Sequence, residues 1–500
     1  MSRTRTQSTL GLLVAIAACL AGCAVGPNFV KPKPAVPEQW STGATAPAKA
    51  AVSTVTPTAP QAVEWWASFQ DPTLTSLVER SAAVNLDLRA AVLRIEEARA
   101  QHDVTASGLW PSFAANASYS RNLISENTPN GVVFGITQKL PLPPGVTITN
   151  PYSQYQFGAT ASWELDLFGR VRRSIEAADA DTATALEQSH DVLISMLGEV
   201  GRAYIELRGA QLRVSIVEHS LETQRDLLAL TRDRRDAGLT TDLDVANAQS
   251  EVNSTEAELP LLERQITDDV NQLSQLMARE PGALRTELAA AAPVPPVPPV
   301  VPIGLPADLA RRRPDIRRSE ASLHAATARV GVAVADLFPR LTLTGAGGWQ
   351  SQGLSRLIEV ASRFGSIGPT IELPIFEGGR QQATIRLENV RTQEAGIDYA
   401  RTVLGALHEV ENALAAYSAD QTRRVSLQAA VVASRDALTL ARQRYESGIT
   451  SFIDVLTADR TLEQNELALA ETTTAVSTDL VLLYKTLGGG WESQQLKPPS

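Results

Sequence analysis

Two hydrophobic periods run through this sequence, and each is written twice. After Gly169, apolar residues recur in steps of four and three as Leu193, Leu197, Val200, Tyr204 and Leu207. That spacing keeps one face of a helix apolar. The same rhythm returns as Val403, Leu407, Val410, Leu414 and Tyr417. Beyond Gly238 the step becomes a strict seven, Val245, Val252, Leu259, Ile266 and Leu273, with Val455, Leu462, Leu469, Val476 and Leu483 as its counterpart. These heptads predict antiparallel coiled-coil hairpins. A helix from Arg170 to Gly238 would be about 100 Å long at 1.5 Å per residue, so most of the molecule is expected to be a rod. The second period is two. Tyr155, Phe157, Ala159, Ala161, Trp163 and Leu165 alternate with Gln156, Gly158, Thr160, Ser162, Glu164 and Asp166, a strand with one apolar and one polar face.

The chain is a duplication. Gly108-Leu109-Trp110-Pro111 matches Asp336-Leu337-Phe338-Pro339 at an offset of 228 residues, and Asp87-Leu88-Arg89 matches Asp315-Ile316-Arg317 at the same offset. Later the offset is 210, as in Gly238-Leu239-Thr240 against Gly448-Ile449-Thr450 and Asp244-Val245 against Asp454-Val455. The difference falls in one loop region, because 124–153 is longer than 351–365. The expected domains are a signal peptide 1–22, an amino-terminal segment 23–80, a first repeat 81–290, a Pro-rich connector 291–306, a second repeat 307–488 and a tail 489–500. Strands are expected near 112–122 and 154–166 in the first repeat, with a helical hairpin near 170–278. The second repeat should carry strands near 340–350 and 366–376 and a hairpin near 380–487. The connector reads as an extended, semi-rigid spacer.

Each strand is about the length needed to cross a bilayer at a tilt. Four strands cannot close a barrel, and open edges are not tolerated in lipid. Several chains are therefore required. Two would give eight strands and a plugged interior, three would give twelve and leave a lumen. Polar residues on one face, Glu164, Glu372, Thr342 and Thr344, favour the wet lumen. The helices alone would equally suit a structural coiled coil, so an outer-membrane-anchored structural or adaptor coiled coil without a pore is the alternative reading.

Composition narrows the field. The 500 residues carry a formal charge of -10, 44% hydrophobic and 5% aromatic residues. An acidic chain without a basic face is not built for nucleic-acid phosphates. No apolar run reaches the roughly 18 residues of a membrane-spanning helix, so strands must make any crossing. At the amino terminus Arg3 and Arg5 precede the apolar stretch Leu10–Leu20 and the sequence Leu20-Ala21-Gly22-Cys23, the pattern of an exported precursor. Leu-Ala-Gly-Cys resembles a bacterial lipobox, which implies acylation of Cys23, and Ala24 in the next position implies sorting to the outer membrane. Removing 1–22 leaves Cys23 as the one cysteine, which excludes an internal disulfide or a cysteine metal site.

No catalytic constellation is present in the sequence. His102, His190, His219, His324 and His408 have no metal-ligand spacing, Glu96 and Glu97 point apart on a helix, and Gly345-Ala346-Gly347-Gly348 lies inside a strand pattern. No cofactor, metal or enzymatic activity is expected.

Taken together, the residues resemble the TolC-like outer membrane factors of tripartite efflux pumps, and within them the NodT-type lipoprotein branch. The resemblance rests on Cys23-Ala24-Val25-Gly26-Pro27-Asn28-Phe29, on Trp65-Trp66 with Phe69-Gln70-Asp71-Pro72-Thr73-Leu74, on Arg312-Arg313-Pro314-Asp315-Ile316, and on the turns at Gly238-Leu239 and Gly448-Ile449. It covers nearly the whole mature chain. It implies a mainly α chain with membrane β: a homotrimer with a 12-stranded outer-membrane β-barrel, a 12-helix periplasmic α-barrel and an equatorial belt. It also implies an inner-membrane pump of the RND type and a periplasmic adaptor as partners, with drugs, toxic small molecules or metal ions passing passively to the exterior.

By the same resemblance, the turns are the periplasmic tips that dock the adaptor, through Arg234, Gly238, Leu239 and Thr240 and their mates Arg444, Gly448, Ile449 and Thr450. Inward carboxylates would gate the tip, with Asp454 in the motif position and Asp244 as its repeat mate. Thr457 stands where relatives often place a second aspartate, with Asp459 as a possible substitute. Asp242 is expected to complement the first turn of a helix.

Overall fold

The computed structural model describes residues 24–33, 36–41, 53–58, 64–138 and 149–492. Cys23, the expected signal peptide and most of the carboxy-terminal tail lie outside them. In order, the main elements are β1 (Thr54–Thr56), α1 (Pro72–Val84), α2 (Leu86–Ala106), β2 (Ser112–Asn122), α3 (Pro129–Gln138), β3 (Tyr152–Leu165), α4 (Arg170–Asp236), α5 (Asp242–Glu256), α6 (Leu259–Leu276), β4 (Val300–Pro302), α7 (Pro314–Ala335), β5 (Arg340–Ser351), β6 (Arg363–Glu372), α8 (Arg380–Glu446) and α9 (Phe452–Thr486). The duplication is visible in α4 and α8, both 67 residues long. Two compact units are formed, one from residues up to Val30 with Ala98–Thr182 and Ser322–Ala395, the other from Lys31–Glu97, Ala183–Ala321 and Gly396 onward.

The first unit holds a four-stranded antiparallel sheet in the order β2-β3-β5-β6. Each repeat supplies one hairpin, and β3 against β5 joins the repeats. Registry puts the apolar alternates side by side: Tyr119 opposite Tyr155, Phe157 opposite Trp349, Trp163 opposite Leu343, and Leu341 opposite Ile371. Polar residues share the other face, with Glu164 opposite Thr342 and Arg340 opposite Glu372. The apolar face is uncovered, for Phe113, Ile367 and Ile371 are 77%, 83% and 70% exposed. Gly158 and Gly348 face each other across β3 and β5, and a Cβ on Gly348 would lie 2.3 Å from the Phe157 carbonyl oxygen, so the strands can approach only without side chains there.

Three features of this unit differ from the sequence reading. β6 runs over Arg363–Glu372 rather than 366–376, because Pro374 ends the pairing; Pro369 is tolerated within it because β6 is an edge strand. Leu373, Ile375 and Phe376 therefore follow the strand as exposed coil. The long loop of the first repeat contains α3, whose counterpart region in the second repeat holds short 3-10 turns.

The second unit is built on the helical repeats. Leu193, Leu197, Val200, Tyr204 and Leu207 are all essentially inaccessible and share one core with Val403, Val410, Leu414, Tyr417, Val476, Leu480 and Leu483. Trp65, Trp66 and Phe69 are driven into this core, and Trp65 stacks on Tyr484 with ring centroids 5.7 Å apart. The next residues explain why the segment turns there: Asp71 caps α1 by accepting from the Thr73 and Leu74 amides, Pro72 opens the helix, and the Tyr204 hydroxyl donates to Asp71 at 2.8 Å. Arg313 of the Arg-Arg-Pro-Asp motif is likewise structural, donating to Asp315, to Glu409 and to the Thr486 carbonyl.

Two expectations change in this unit. The return arm of the first hairpin breaks at Ala257 and Glu258, between α5 and α6, because Pro260 lacks an amide hydrogen and crowds the preceding turn; Ala470 stands at the same place in the second repeat and α9 is continuous. The connector is extended but is more than a spacer. Its β4 pairs in parallel with β1, Pro295 accepts from the Ser477 hydroxyl, and Gly304 accepts from the Trp40 indole.

Candidate functional site

The residues expected at the tips lie at two helix–turn–helix junctions of identical design. At the end of α4 the Gly238 amide donates to the Arg235 carbonyl and the Leu239 amide to the Arg234 carbonyl; at the end of α8 Gly448 and Ile449 do the same toward Tyr445 and Arg444. This pattern needs a left-handed residue, and Gly238 and Gly448 have φ of 70° and 75°. Leu239 and Ile449 are each 66% exposed. One turn onward, Leu243 and Ile453 are also exposed, so each junction presents two uncovered aliphatic side chains. These two were missed in the sequence; the signal was an apolar pair at the 210-residue offset lying off the heptad. The junctions are tied together by Arg234, whose guanidinium lies over the Tyr445 ring at 4.6 Å and donates to the Glu446 carbonyl at 3.1 Å.

Asp244 and Asp454 occupy the same place at the start of α5 and α9, where each accepts the hydrogen bonds of a capping box. One oxygen of Asp244 accepts from the Thr240 hydroxyl at 2.6 Å and from the Thr241 hydroxyl and amide; one oxygen of Asp454 accepts from the Thr450 hydroxyl and from the Ser451 hydroxyl and amide. The threonine hydroxyls foremost hold both carboxyls below the usual aspartate range, so both stay ionised in neutral and mildly acidic solution. The cap falls to Asp244, three residues into the turn, whereas Asp242 pairs with Arg235 at 3.1 Å. Asp459 lies elsewhere. It is buried in the helical core below the junction, 3% exposed, and accepts from the Gln224 amide.

A second organised feature lies in the sheet-bearing unit, at the junction of β3 and α4. Here the chain from Ala24 to Phe29 is clamped. The Val25 amide donates to the Phe168 carbonyl, and Arg173 donates to the Val25 and Gly26 carbonyls and to the Asn28 side chain at 2.6 Å. Phe29 stacks on His324, whose Nε2 meets Glu176 at 3.0 Å. A Cβ on Gly26, at φ 89°, would lie 2.6 Å from the Gly331 Cα, and one on Gly331 would meet the Arg173 side chain at 2.8 Å. The clamp was not legible in the sequence, because nothing in the spacing links Arg173 to Asn28. Among the described residues no cluster of three or more histidine, cysteine or carboxylate side chains is placed to hold a metal ion, and no helix is long and apolar enough to cross a membrane.

Comparison with known proteins places this architecture. The family model described as "Outer membrane efflux protein" matches residues 77–279 and 305–489. The outer membrane protein OprJ of Pseudomonas aeruginosa is 33% identical over 487 residues, covering 95% of this chain and 95% of OprJ. Nodulation protein T of Rhizobium leguminosarum bv. trifolii is 29% identical over 476 residues, covering 94% of this chain and 95% of that protein. The solved outer-membrane channel OprN superposes with a TM-score of 0.83 at 35% identity, covering 94% of this chain and all of that one. With both repeats matched by the family model and similarity running almost from end to end, this chain belongs to the outer membrane efflux protein family, the TolC-like outer membrane factors that include the NodT branch, and is an outer-membrane protein extending into the periplasm.

Proposed function

We propose that three copies of this chain form a passive efflux channel, in which twelve strands close a barrel in the outer membrane and twelve helices form a tube below it. The observation that carries this reading is the four-stranded sheet, with an uncovered apolar face and with β2 and β6 as edges that pair with no further strand among the described residues. An open sheet is not stable in lipid, and twelve strands are enough to leave a lumen. Two copies would give eight strands and a filled interior, so the polar face of the sheet supports three copies rather than two. Drugs, toxic small molecules or metal ions would enter from an inner-membrane pump of the RND type through a periplasmic adaptor. The junctions at Gly238 and Gly448, with Leu239, Thr240, Ile449, Thr450, Arg234 and Arg444, are the proposed adaptor contacts, supported by their uncovered aliphatic side chains. Acylation of Cys23 would hold the chain at the membrane, and the clamp on the residues that follow it supports a fixed anchor.

Asp244 and Asp454 are the proposed gate carboxylates. Their contacts keep them charged, so they would concentrate negative potential at the narrow end and favour cations. Asp459 is enclosed in the helical core and is left out of this ring. The test is conductance of the purified full-length protein in a planar bilayer, where small cation-preferring channels are expected. Replacing Asp244 and Asp454 together by alanine should raise conductance and weaken cation preference. A strictly monomeric or non-conducting product would support the coiled-coil alternative instead, and unchanged currents in the double variant would remove the gate assignment.

A further inference from the structure

Asp459 and Glu463 are one turn apart on α9, 3% and 9% exposed, and both face Gln224 of α4, itself 3% exposed. The Gln224 side-chain nitrogen donates to Asp459 at 3.2 Å and to Glu463 at 3.2 Å, and lies 3.1 Å from the Ser220 hydroxyl. The amide's two hydrogens suffice for the two carboxyl groups, and the Ser220 hydroxyl brings a hydrogen of its own toward Glu463. Two other atoms go unserved: Gln224 Oε1 and Glu463 Oε1 are both buried acceptors with no hydrogen-bond partner. The layer is short of a donor hydrogen.

We propose that Glu463 is a proton-operated latch between the two repeats, tying α9 to α4 through Gln224 when neutral and forcing them apart when ionised.

The charges around it favour the neutral form. From α5, Glu251 approaches and is held by Arg460 of α9 in a two-pronged contact. Glu258, in the turn after α5, adds a further carboxylate to the field at Glu463, and Glu466 of α9 is paired with Arg435 of α8 at 2.6 Å. Arg442 of α8 acts on Asp459, while Arg225 of α4 is engaged with Glu256 at the surface. Arg460 is held foremost by Glu251 while still acting on Asp459 and Glu463, and Arg435 is committed to Glu466. Burial foremost, opposed by a hydrogen bond from the Ser220 hydroxyl and helped by Asp459, Glu258 and Glu251, pushes the Glu463 carboxyl up to about 7. The folded protein therefore holds a proton that the unfolded chain releases at lower pH, and the tie is complete in mild acid and lost as pH rises through neutrality. The latch belongs to one repeat. The positions matching Asp459 and Glu463 in the first copy are Gln249 and Asn253, where the Gln249 amide nitrogen donates to the Asn253 oxygen at 3.0 Å.

The test is hydrogen exchange of the full-length protein in detergent, followed by mass spectrometry of peptides covering 217–231 and 452–467 and corrected for the intrinsic pH dependence of exchange. Opening of these segments should become about thirtyfold more frequent between about pH 5.5 and pH 8 in the wild type, since about one and a half pH units separate the lower pH from the raised pKa and each unit corresponds to a tenfold effect. Glu463→Gln should hold both peptides within about twofold of their mildly acidic level at either pH. Asp459→Asn, which removes the nearest negative charge but keeps Glu463, should retain the response and move its midpoint to lower pH. A wild type without pH response in these peptides, a response that survives Glu463→Gln, or a midpoint unmoved by Asp459→Asn would each overturn the proposal. Because exchange reads the helices themselves, the outcome does not depend on whether the chain conducts.

Discussion

Thr241 and Ser451 show how much of a junction rests on single side chains. Each is the first residue of a capping box whose carboxylate partner, Asp244 or Asp454, also accepts from the residue before it. The same carboxylates carry the proposed gate charge, so the structural and the functional roles share their atoms. Thr241→Ala leaves Asp244 in place while removing one half of the reciprocal pair, and should loosen the first turn of α5 by about 1 kcal/mol. Amide exchange over residues 242–248 should then rise severalfold with the α9 junction unchanged. Asp242 was expected to complement the first turn of the helix and lies there, also pairing with Arg235; the reciprocal cap falls to Asp244, which the sequence reading had placed at the gate. Arg173 was illegible for a different reason. Its partners Val25, Gly26 and Asn28 are nearly 150 residues distant along the chain, and no periodicity reports such a contact.

Among the elements, the two repeats are copies in outline and differ in electrostatic detail. Asp269 of α6 and Asp479 of α9 are repeat mates, and burial pushes both up to about 7, with Glu206 adding to the first and Asp420 to the second. Each leaves one buried oxygen without a hydrogen-bond partner. The folded state keeps these protons above the pH at which an unfolded aspartate loses them, so each site lowers stability as pH rises from about 4 through about 7. Asp479→Asn should therefore raise the melting temperature at pH 8 and change it little near pH 5; an equal shift at both pH values would contradict this account. Strands and long helices were legible because their periods of two, seven, and four with three survive over many residues. α3 was not, since a ten-residue helix in a loop offers too few turns for a period to emerge. The break at residues 257–258 had a visible cause in Pro260, which the unbroken heptad concealed.

For the molecule as a whole, the joining of the repeats depends on β3 and β5. Gly348→Val would set a branched side chain against the Phe157 carbonyl, where even a Cβ has no space. The sheet would lose its central pairing, and without it copies of the chain could not present matching edges to one another. Light scattering after size exclusion should show loss of the proposed trimer, whereas Gly368→Ala, at a position with nothing within 4 Å of a Cβ, should leave it intact. The apolar face of this sheet could be read from alternation alone, while the aromatic pairs and the need for glycine at this crossing became evident only once the registry was known.

The interruption at Ala257 and Glu258 has a mechanical result. Each copy of the chain has one unbroken return helix of 35 residues and one divided into pieces of 15 and 18. Bending stress placed on the pair concentrates in the jointed strut, while the continuous one transmits it along its length. Any rearrangement that starts at the Gly238 and Gly448 ends would thus be absorbed early on the first arm and carried far along the second, so that two segments of common ancestry serve as hinge and lever.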